Sequence, residues 1–199
     1  RQWIGVGKFV PGERLKIRHV AADMGVGLMP VRAALQRLAA EGALVNVPNA
    51  GVAVPRLPLA EFDDLLSMRV LLEGEAAERG CLTLDAKQRK KMHALAALMD
   101  KALRQGQASA YLVANEDFHV LLYSAAGSPT LMALIETLWL KAGPISNQLF
   151  EAEQASAVLN DAHQALLQAL EKGDSAGVRR AVAQDIETAG AYLRLSCAA

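Results

Sequence analysis

The chain has 199 residues and no net formal charge, because 21 Lys and Arg residues balance 21 Asp and Glu residues. Hydrophobic residues make up 52% of it and aromatic residues only 5%, so we expect a core of Ala, Leu and Val, built from helices rather than sheets. This composition excludes intrinsic disorder, and the overall charge shows neither a basic nucleic-acid binder nor an acidic tail. The length suits one large domain or two small ones.

Neither the cysteines nor the apolar runs indicate secretion or a membrane. Cys81 and Cys197 are far apart and lack metal-binding spacing, which predicts a reducing compartment, the cytoplasm. The chain opens at Arg1 without the pattern of a signal peptide. The longest uncharged run, residues 118–135, contains His119 and a Gly-Ser-Pro turn, so it predicts two helices rather than a membrane span.

The first 57 residues predict short elements separated by turns. Residues 17–24 form a short predicted helix that stops at Gly25, and a second helix runs from Pro30 to Glu41. Two apolar runs, residues 44–47 and 52–54, flank a Pro-Asn-Ala-Gly turn, which is typical of a hairpin. Helix, turn, helix and hairpin together predict a winged helix-turn-helix.

The rest of the chain predicts helices alone. They are expected near residues 59–80, 84–104, 108–126, 129–153, 155–172 and 174–195. Pro55 and Pro58 mark the boundary between the two parts. The predicted fold is therefore mainly α, with a winged helix-turn-helix DNA-binding domain over residues 1–57. An antiparallel helical bundle over residues 58–199 would bind an effector and form a dimer.

The zero net charge conceals two opposite parts. Residues 1–57 carry eight basic and three acidic side chains, a net charge of +5, whereas the remainder carries 13 basic and 18 acidic side chains, a net charge of −5. A solvated surface alone could account for the positive charge. Combined with the helix-turn-helix pattern, it predicts that the first domain contacts DNA phosphates.

Several motifs in this domain carry a resemblance to a known family. They are Pro-Gly-Glu-Arg-Leu at 11–15, Gly-Val at 25–26, Pro-Val-Arg-Ala-Ala-Leu-Gln-Arg-Leu at 30–38, Glu-Gly at 41–42 and Pro-Asn-Ala-Gly at 48–51. Together they resemble the signature of GntR-type bacterial transcription regulators. The resemblance implies that the helix from Pro30 enters the major groove and that Arg18 and Arg32 contact the operator. Arg14 and Arg37 are further candidates, although a solvated helix face also explains Arg37.

The sequence departs from the family just before Pro30. The family usually has a hydroxyl residue, often an Arg, and then a Thr at positions that here hold Gly27, Leu28 and Met29. The missing N-cap hydroxyl should cost about 1 kcal/mol of helix stability. We therefore expect an altered or weakened operator preference.

Four polar side chains interrupt the apolar stripes of three predicted helices. Asn115 and His119 lie one turn apart on one stripe, His163 lies on a second, and Asp185 lies on a third. Taken singly, each could be a hydrogen-bonded core residue, and a buried Asp requires a partner. Taken together they predict one polar site whose nitrogen and oxygen atoms suit a divalent metal such as Zn, Ni or Mn.

Segments around these residues resemble the FCD effector domain of the FadR subfamily. They are residues 65–77, 115–119 and 125–131, and His163 followed by Gly173-Asp174. In that domain an Asp or Asn and three His often hold a metal beside a carboxylate effector. The resemblance implies Asn115, His119 and His163 as ligands, with Asp185 where the third His is expected. The alternative is a metal-free polar pocket.

Three further residues are candidates for contacting a small carboxylate effector. Arg69 could grip the carboxylate with two donors or form an ion pair with Glu73 one turn later. Lys141 and Asn147 follow on the long helix after Pro129.

These features predict a ligand-responsive transcription regulator, a repressor that binds operator DNA as a homodimer. Its effector would reposition the DNA-binding domains through the linker at residues 55–60. One alternative is a regulator whose bundle only dimerises around a vestigial pocket. The other is a metal-dependent hydrolase. The sequence argues against a hydrolase, because it has no activated nucleophile, no phosphate loop and no His-Glu-x-x-His motif.

Overall fold

The computed structural model describes residues 1–48, 50–150 and 161–197, without the side chains of Asn147 and Ser196. The N-terminal part contains helices α1 (Gln2–Gly5), α2 (Ile17–Met24) and α3 (Leu28–Ala40). Its strands are β1 (Arg14–Leu15), β2 (Val45–Val47) and β3 (Gly51–Ala53), which form an antiparallel sheet in the order β1-β3-β2. This is the predicted winged helix-turn-helix. The short elements α1 and β1 were not predicted, because two to four residues carry no recognisable periodicity.

Helix α3 begins two residues before its predicted start at Pro30. Gly27 takes an extended conformation at the N-cap, and Pro30 fits inside the first turn, where no backbone donor is needed. No side chain caps this end, so the predicted loss of the N-cap hydrogen bond is confirmed. Val31, Leu35 and Leu38 form the buried face of α3. The opposite face of α3 is exposed.

The second part is a bundle of six helices in the described residues. They are α4 (Leu59–Thr83), α5 (Ala86–Arg104), α6 (Ala108–Ser124), α7 (Pro129–Ser146), α8 (Asp161–Lys172) and α9 (Ser175–Leu193). The helical prediction is confirmed, but α7 stops at Ser146 and a 3-10 turn, Asn147–Phe150, follows. The predicted ends near 153 and 155 lie outside the described residues.

Packing in the bundle brings distant segments of the sequence together. Helix α4 lies along α9, α5 packs against α6, and α8 packs against α9. Buried Phe62, Phe118, Leu122 and Val182 are among the residues that join these helices in one core. As a result, polar residues of α4, α6, α8 and α9 can meet inside the bundle. Among the described residues, no helix is long and apolar enough to cross a membrane.

The two parts also contact each other directly, through α1 and α7. Leu140 of α7 is buried in the N-terminal core, and Val6, just after α1, packs against the bundle core. Gly143 permits this contact, because a Cβ there would lie 2.6 Å from Gly5 Cα. Helix α1 therefore lies against the bundle. The predicted boundary at residues 57 and 58 stays a prediction.

Candidate DNA interface and candidate metal and effector site

The exposed face of the winged helix-turn-helix contains a basic groove. It has a volume of about 450 Å³ and is lined by Leu15, Lys16, Ile17, Arg18, His19, Leu28, Arg32, Ala50 and Gly51. Arg18 at the start of α2 and Arg32 in the first turns of α3 therefore share one groove with the hairpin turn. Such a groove offers guanidinium groups to base edges and phosphates together. The sequence did not single out Lys16 and His19, which extend this surface.

Arg14 and Arg37 do not line this groove. Arg14 is exposed on β1, opposite Ala53 of β3. Arg37 lies in the last turn of α3, where its Nε donates to Glu41 Oε1 at 2.9 Å. This ion pair supports the solvated helix face as the explanation of Arg37. Contact of either residue with DNA stays a prediction.

Inside the bundle, three of the predicted ligands converge. His119 Nε2 of α6 lies 3.2 Å from His163 Nε2 of α8 and 3.3 Å from Asp185 Oδ2 of α9. His163 Nε2 lies 3.9 Å from Asp185 Oδ1. Both histidines are buried, and the Asp185 side chain is 18% exposed. Three helices that are distant in sequence thus place two imidazoles and a carboxylate together, as predicted.

The cluster fits a divalent metal. Two ligand atoms on a tetrahedral metal, each bonded at about 2.0–2.1 Å, lie about 3.3 Å apart. The 3.2 Å between the two Nε2 atoms and the 3.3 Å from His119 Nε2 to Asp185 Oδ2 are near this value, whereas the 3.9 Å from His163 Nε2 leads to the other oxygen, Asp185 Oδ1. Burial by itself raises the pKa of Asp185, but the facing His163 and His119 rings and the Arg69 guanidinium together hold that pKa below its ordinary value. The ionised carboxylate is the form that binds a cation.

A small cavity adjoins the cluster. Its volume is about 80 Å³, and it is lined by Gly5, Val6, Arg69, Leu112, Asn115, Glu116, His119, Trp139, Ala142, Gly143, Ser146 and Asp185. Asn115, the fourth predicted ligand, is half-buried in this wall beside His119. A cavity of this volume has room for several waters or one small organic molecule. It is too small for the drug-sized ligands of typical pockets.

The predicted effector residues differ in where they lie. Arg69 lines the cavity, and its Nε also donates to Glu73 Oε1 at 2.6 Å, so the ion-pair alternative is present. Lys141 is exposed and outside the cavity wall, because α7 turns Trp139, Ala142, Gly143 and Ser146 toward the cavity at helical spacing. The side chain of Asn147 lies outside the described residues.

Three residues beside the cluster, Tyr123, Gly5 and Val6, were not predicted from the sequence. Tyr123 Oη lies 3.0 Å from His119 Nδ1, one turn along α6, and 3.1 Å from Glu73 Oε2. The spacing of His119 and Tyr123 at i, i+4 is a signal that the sequence does contain. Gly5 and Val6 carried no such signal, because the contact of α1 with α7 is purely tertiary.

Comparison with known proteins matches both parts of the chain. The family model of the FCD domain matches residues 64–188, more than half of the chain. The family model of bacterial regulatory proteins of the gntR family matches residues 1–54. The chain belongs to the GntR family. A GntR-family chain with an FCD domain is a transcription regulator that binds operator DNA, so the hydrolase alternative is excluded.

Individual relatives agree with this assignment. The HTH-type transcriptional regulator McbR of Escherichia coli (strain K12) is 27% identical over 183 residues, which cover 91% of this chain and 83% of McbR. The HTH-type transcriptional repressor GlaR of the same strain is 25% identical over 196 residues, covering 92% of this chain and 86% of GlaR. A solved structure of E. coli McbR superposes with a TM-score of 0.90 at 26% identity, covering 98% of this chain and 92% of that structure.

Proposed function

We propose that this GntR-family regulator, of the FadR subfamily, is a repressor that binds operator DNA as a homodimer in the cytoplasm. A divalent metal and a small organic acid would bind beside His119 and control the affinity for DNA. The convergence of His119, His163 and Asp185 next to a cavity carries this proposal. The name of the related repressor GlaR supports the direction of regulation.

The charges around the cavity explain why a metal would be needed. Glu116 and Asp185 line the cavity, while the charge of Arg69 is already opposed by Glu73. An anionic ligand entering this cavity alone would meet net negative charge. A divalent cation held by His119, His163 and Asp185 would supply the positive charge that binds a carboxylate. The cavity volume of about 80 Å³ favours acids of a few carbon atoms.

The wall of the cavity supports a direct route from effector to DNA. Gly5 and Val6, which precede the helix-turn-helix, line the same cavity as His119 and Asp185. A ligand there would touch the N-terminal part without acting through the linker at residues 55–60. Ile4 of α1 is buried in the core that contains Val20, Val31 and Leu35 of the DNA-binding domain. A displacement of α1 would therefore bear on α2 and α3.

The homodimer follows from the size of the DNA-binding surface. One groove with Arg18 and Arg32 spans a short half-site, and two-fold pairing doubles the contacts. Analytical ultracentrifugation across a concentration series tests this. A monomer that binds operator at full affinity would contradict it.

Operator affinity with and without ligands tests the proposal. Duplexes selected from a random library by the protein supply an operator, and fluorescence anisotropy measures its affinity. Zn²⁺, Ni²⁺ and Mn²⁺ would be added alone and then with acetate, lactate or malonate. We expect a metal and acid together to weaken DNA binding at least tenfold. A vestigial pocket would leave both the operator affinity and the melting temperature unchanged with every metal and acid.

A further inference from the structure

Behind the metal-facing side of His119, two buried groups contact the other nitrogen of its ring. Tyr123 Oη lies 3.0 Å from His119 Nδ1 and 3.1 Å from Glu73 Oε2. Glu73 in turn accepts from Arg69 Nε at 2.6 Å. The exposed fractions of Glu73, Tyr123 and His119 are 1%, 1% and 5%. The three side chains therefore exchange hydrogen bonds with one another rather than with bulk water.

The direction of the hydrogen bonds follows from the number of protons available. Glu73 forms an ion pair with the Arg69 guanidinium, and a carboxylate in such a pair only accepts hydrogen bonds. The phenol of Tyr123 keeps its proton at neutral pH, because a tyrosine loses that proton only in strongly alkaline solution. Tyr123 therefore has one proton for two neighbours.

Only one arrangement makes both contacts hydrogen bonds. If Tyr123 donates to Glu73, its oxygen is free to accept from a proton on His119 Nδ1. If Tyr123 donates to His119 instead, its oxygen faces the Glu73 carboxylate with no proton between them. Two buried acceptors in contact are costly, because neither is compensated for the loss of water. The first arrangement is favoured.

We propose that Glu73 and Tyr123 are positioning residues that keep a proton on His119 Nδ1 and so make Nε2 the metal ligand. This inference deepens the proposed function and rests on its metal site. Nε2 is the atom that faces His163 and Asp185, at 3.2 and 3.3 Å. A hydrogen bond to the other nitrogen of a ligating His fixes its tautomer and contributes about 10–100-fold to metal affinity.

The same network gives Arg69 a role other than binding the effector. Its guanidinium pairs with the buried Glu73 carboxylate, with Nε 2.6 Å from Oε1, and so supplies the opposite charge that a buried carboxylate requires. One ion pair and two hydrogen bonds thus connect Arg69 on α4 to His119 on α6. Each helix contributes one i, i+4 pair to this network.

Nitrogen NMR of metal-free protein tests the tautomer directly. Long-range ¹H–¹⁵N correlation of ¹⁵N-histidine-labelled protein distinguishes protonated from unprotonated ring nitrogens, and the His119→Gln variant assigns the His119 signals. We expect a proton on Nδ1 in the wild type, both when Nε2 is bare and when Nε2 carries a second proton toward Asp185 Oδ2 at 3.3 Å. In Tyr123→Phe that proton has no acceptor, so we expect it to move to Nε2, facing Asp185. An unprotonated Nδ1 in the wild type would overturn the inference.

Metal affinity is the second measurement. We expect Tyr123→Phe to lower the affinity for Zn²⁺, measured by chelator competition, by about 10–100-fold. Tyr192→Phe, a half-buried tyrosine of α9, is the matched control and should keep the wild-type affinity. Equal affinity of Tyr123→Phe and wild type would refute the role of Tyr123. Thermal unfolding of the metal-free variants checks that each one folds.

The variant Glu73→Gln provides an independent test. Its amide can donate to the Tyr123 oxygen, which turns the phenolic proton toward His119 Nδ1 and the imidazole proton toward Nε2. We expect the same loss of Zn²⁺ affinity and the reversed NMR pattern. Unchanged NMR in this variant counts against the inference. If the wild type binds none of Zn²⁺, Ni²⁺ and Mn²⁺, the metal of the proposed function is refuted, whereas NMR still decides the position of the proton.

Discussion

Gly143 of α7 packs against Gly5 of α1 so closely that the two helices leave no room for a side chain. A Cβ on Gly143 would lie 2.5 Å from the Gly5 carbonyl oxygen and 2.6 Å from Gly5 Cα. Both glycines also line the cavity beside His119. The joint between the DNA-binding part and the bundle is therefore also a wall of the candidate effector site.

We expect Gly143→Ala to displace α1, because the added methyl collides with backbone that cannot rotate away. Overpacking of this kind typically costs about 1–3 kcal/mol of stability. The free energy of unfolding, from urea titration, should fall by that amount. The change of operator affinity caused by metal and acid should shrink as well.

Gly74→Ala on α4 is the matched control for that change. Its Cβ would lie 3.2 Å from Cγ of the Arg179 side chain, which can shift, and Ala favours helix by about 1 kcal/mol over Gly. This variant should be at least as stable as the wild type and should keep its ligand response. A Gly143→Ala variant that behaves like Gly74→Ala would show that α1 does not transmit the signal.

Arg18 and Arg32 should each contribute to operator binding. Replacing either with Ala removes a guanidinium from the groove beside the hairpin. We expect a loss of about 1–3 kcal/mol where the contact is to a base, or a shallower salt dependence where it is to a phosphate. Fluorescence anisotropy over a range of salt concentrations separates the two. Arg104→Ala, an exposed arginine of α5, should leave DNA binding unchanged.

The His119→Ala and Asp185→Asn variants test the proposed metal site. We expect the wild type to melt at a higher temperature with Zn²⁺, Ni²⁺ or Mn²⁺ present, because a ligand of the folded state stabilises it. Both variants should lose this increase. His93→Ala is the control, since His93 is exposed and faces Glu171 at 3.3 Å, away from the cluster. Full stabilisation of Asp185→Asn by metal would exclude Asp185 as a ligand.

An ion-pair network between α4 and α9 predicts one contribution to acid sensitivity. Hydrogen bonds from Arg79 and Arg179 lower the pKa of Glu75 below its ordinary value. A carboxyl with a lowered pKa stabilises the fold above its unfolded pKa, and this contribution disappears as the pH falls through the folded pKa.

We therefore expect Glu75→Gln to lower the free energy of unfolding at pH 7 more than at pH 3. Urea titrations at the two pH values measure the difference. Glu187→Gln, at an exposed position of α9, is the control and should change the stability little at either pH. An equal loss at both pH values for Glu75→Gln would mean that its charge is not what stabilises the contact.

Local patterns allowed much of the fold to be predicted. The end of α2 at Gly25, the six helices of the bundle and the polar positions 119, 163 and 185 all follow from turn residues and helical periodicity. Turn residues and helical periodicity predicted the ends of helices less accurately than their existence. Helix α3 begins at Leu28 rather than Pro30, because Gly27 can act as an N-cap without a hydroxyl.

The amino-acid sequence by itself determined which residues turn inward, because helical spacing assigns each side chain to a face without reference to any neighbour. It thereby identified the polar positions on three helices that form the buried cluster and two of the arginines, Arg18 and Arg32, that line the basic groove. Tertiary structure alone decided which inward groups meet: Tyr123 with Glu73, and α1 with α7 at the cavity. These contacts join residues that are distant in sequence. Packing decides them, because a buried donor needs an acceptor on the element that lies against it, and two backbones approach closely only where helices pack together.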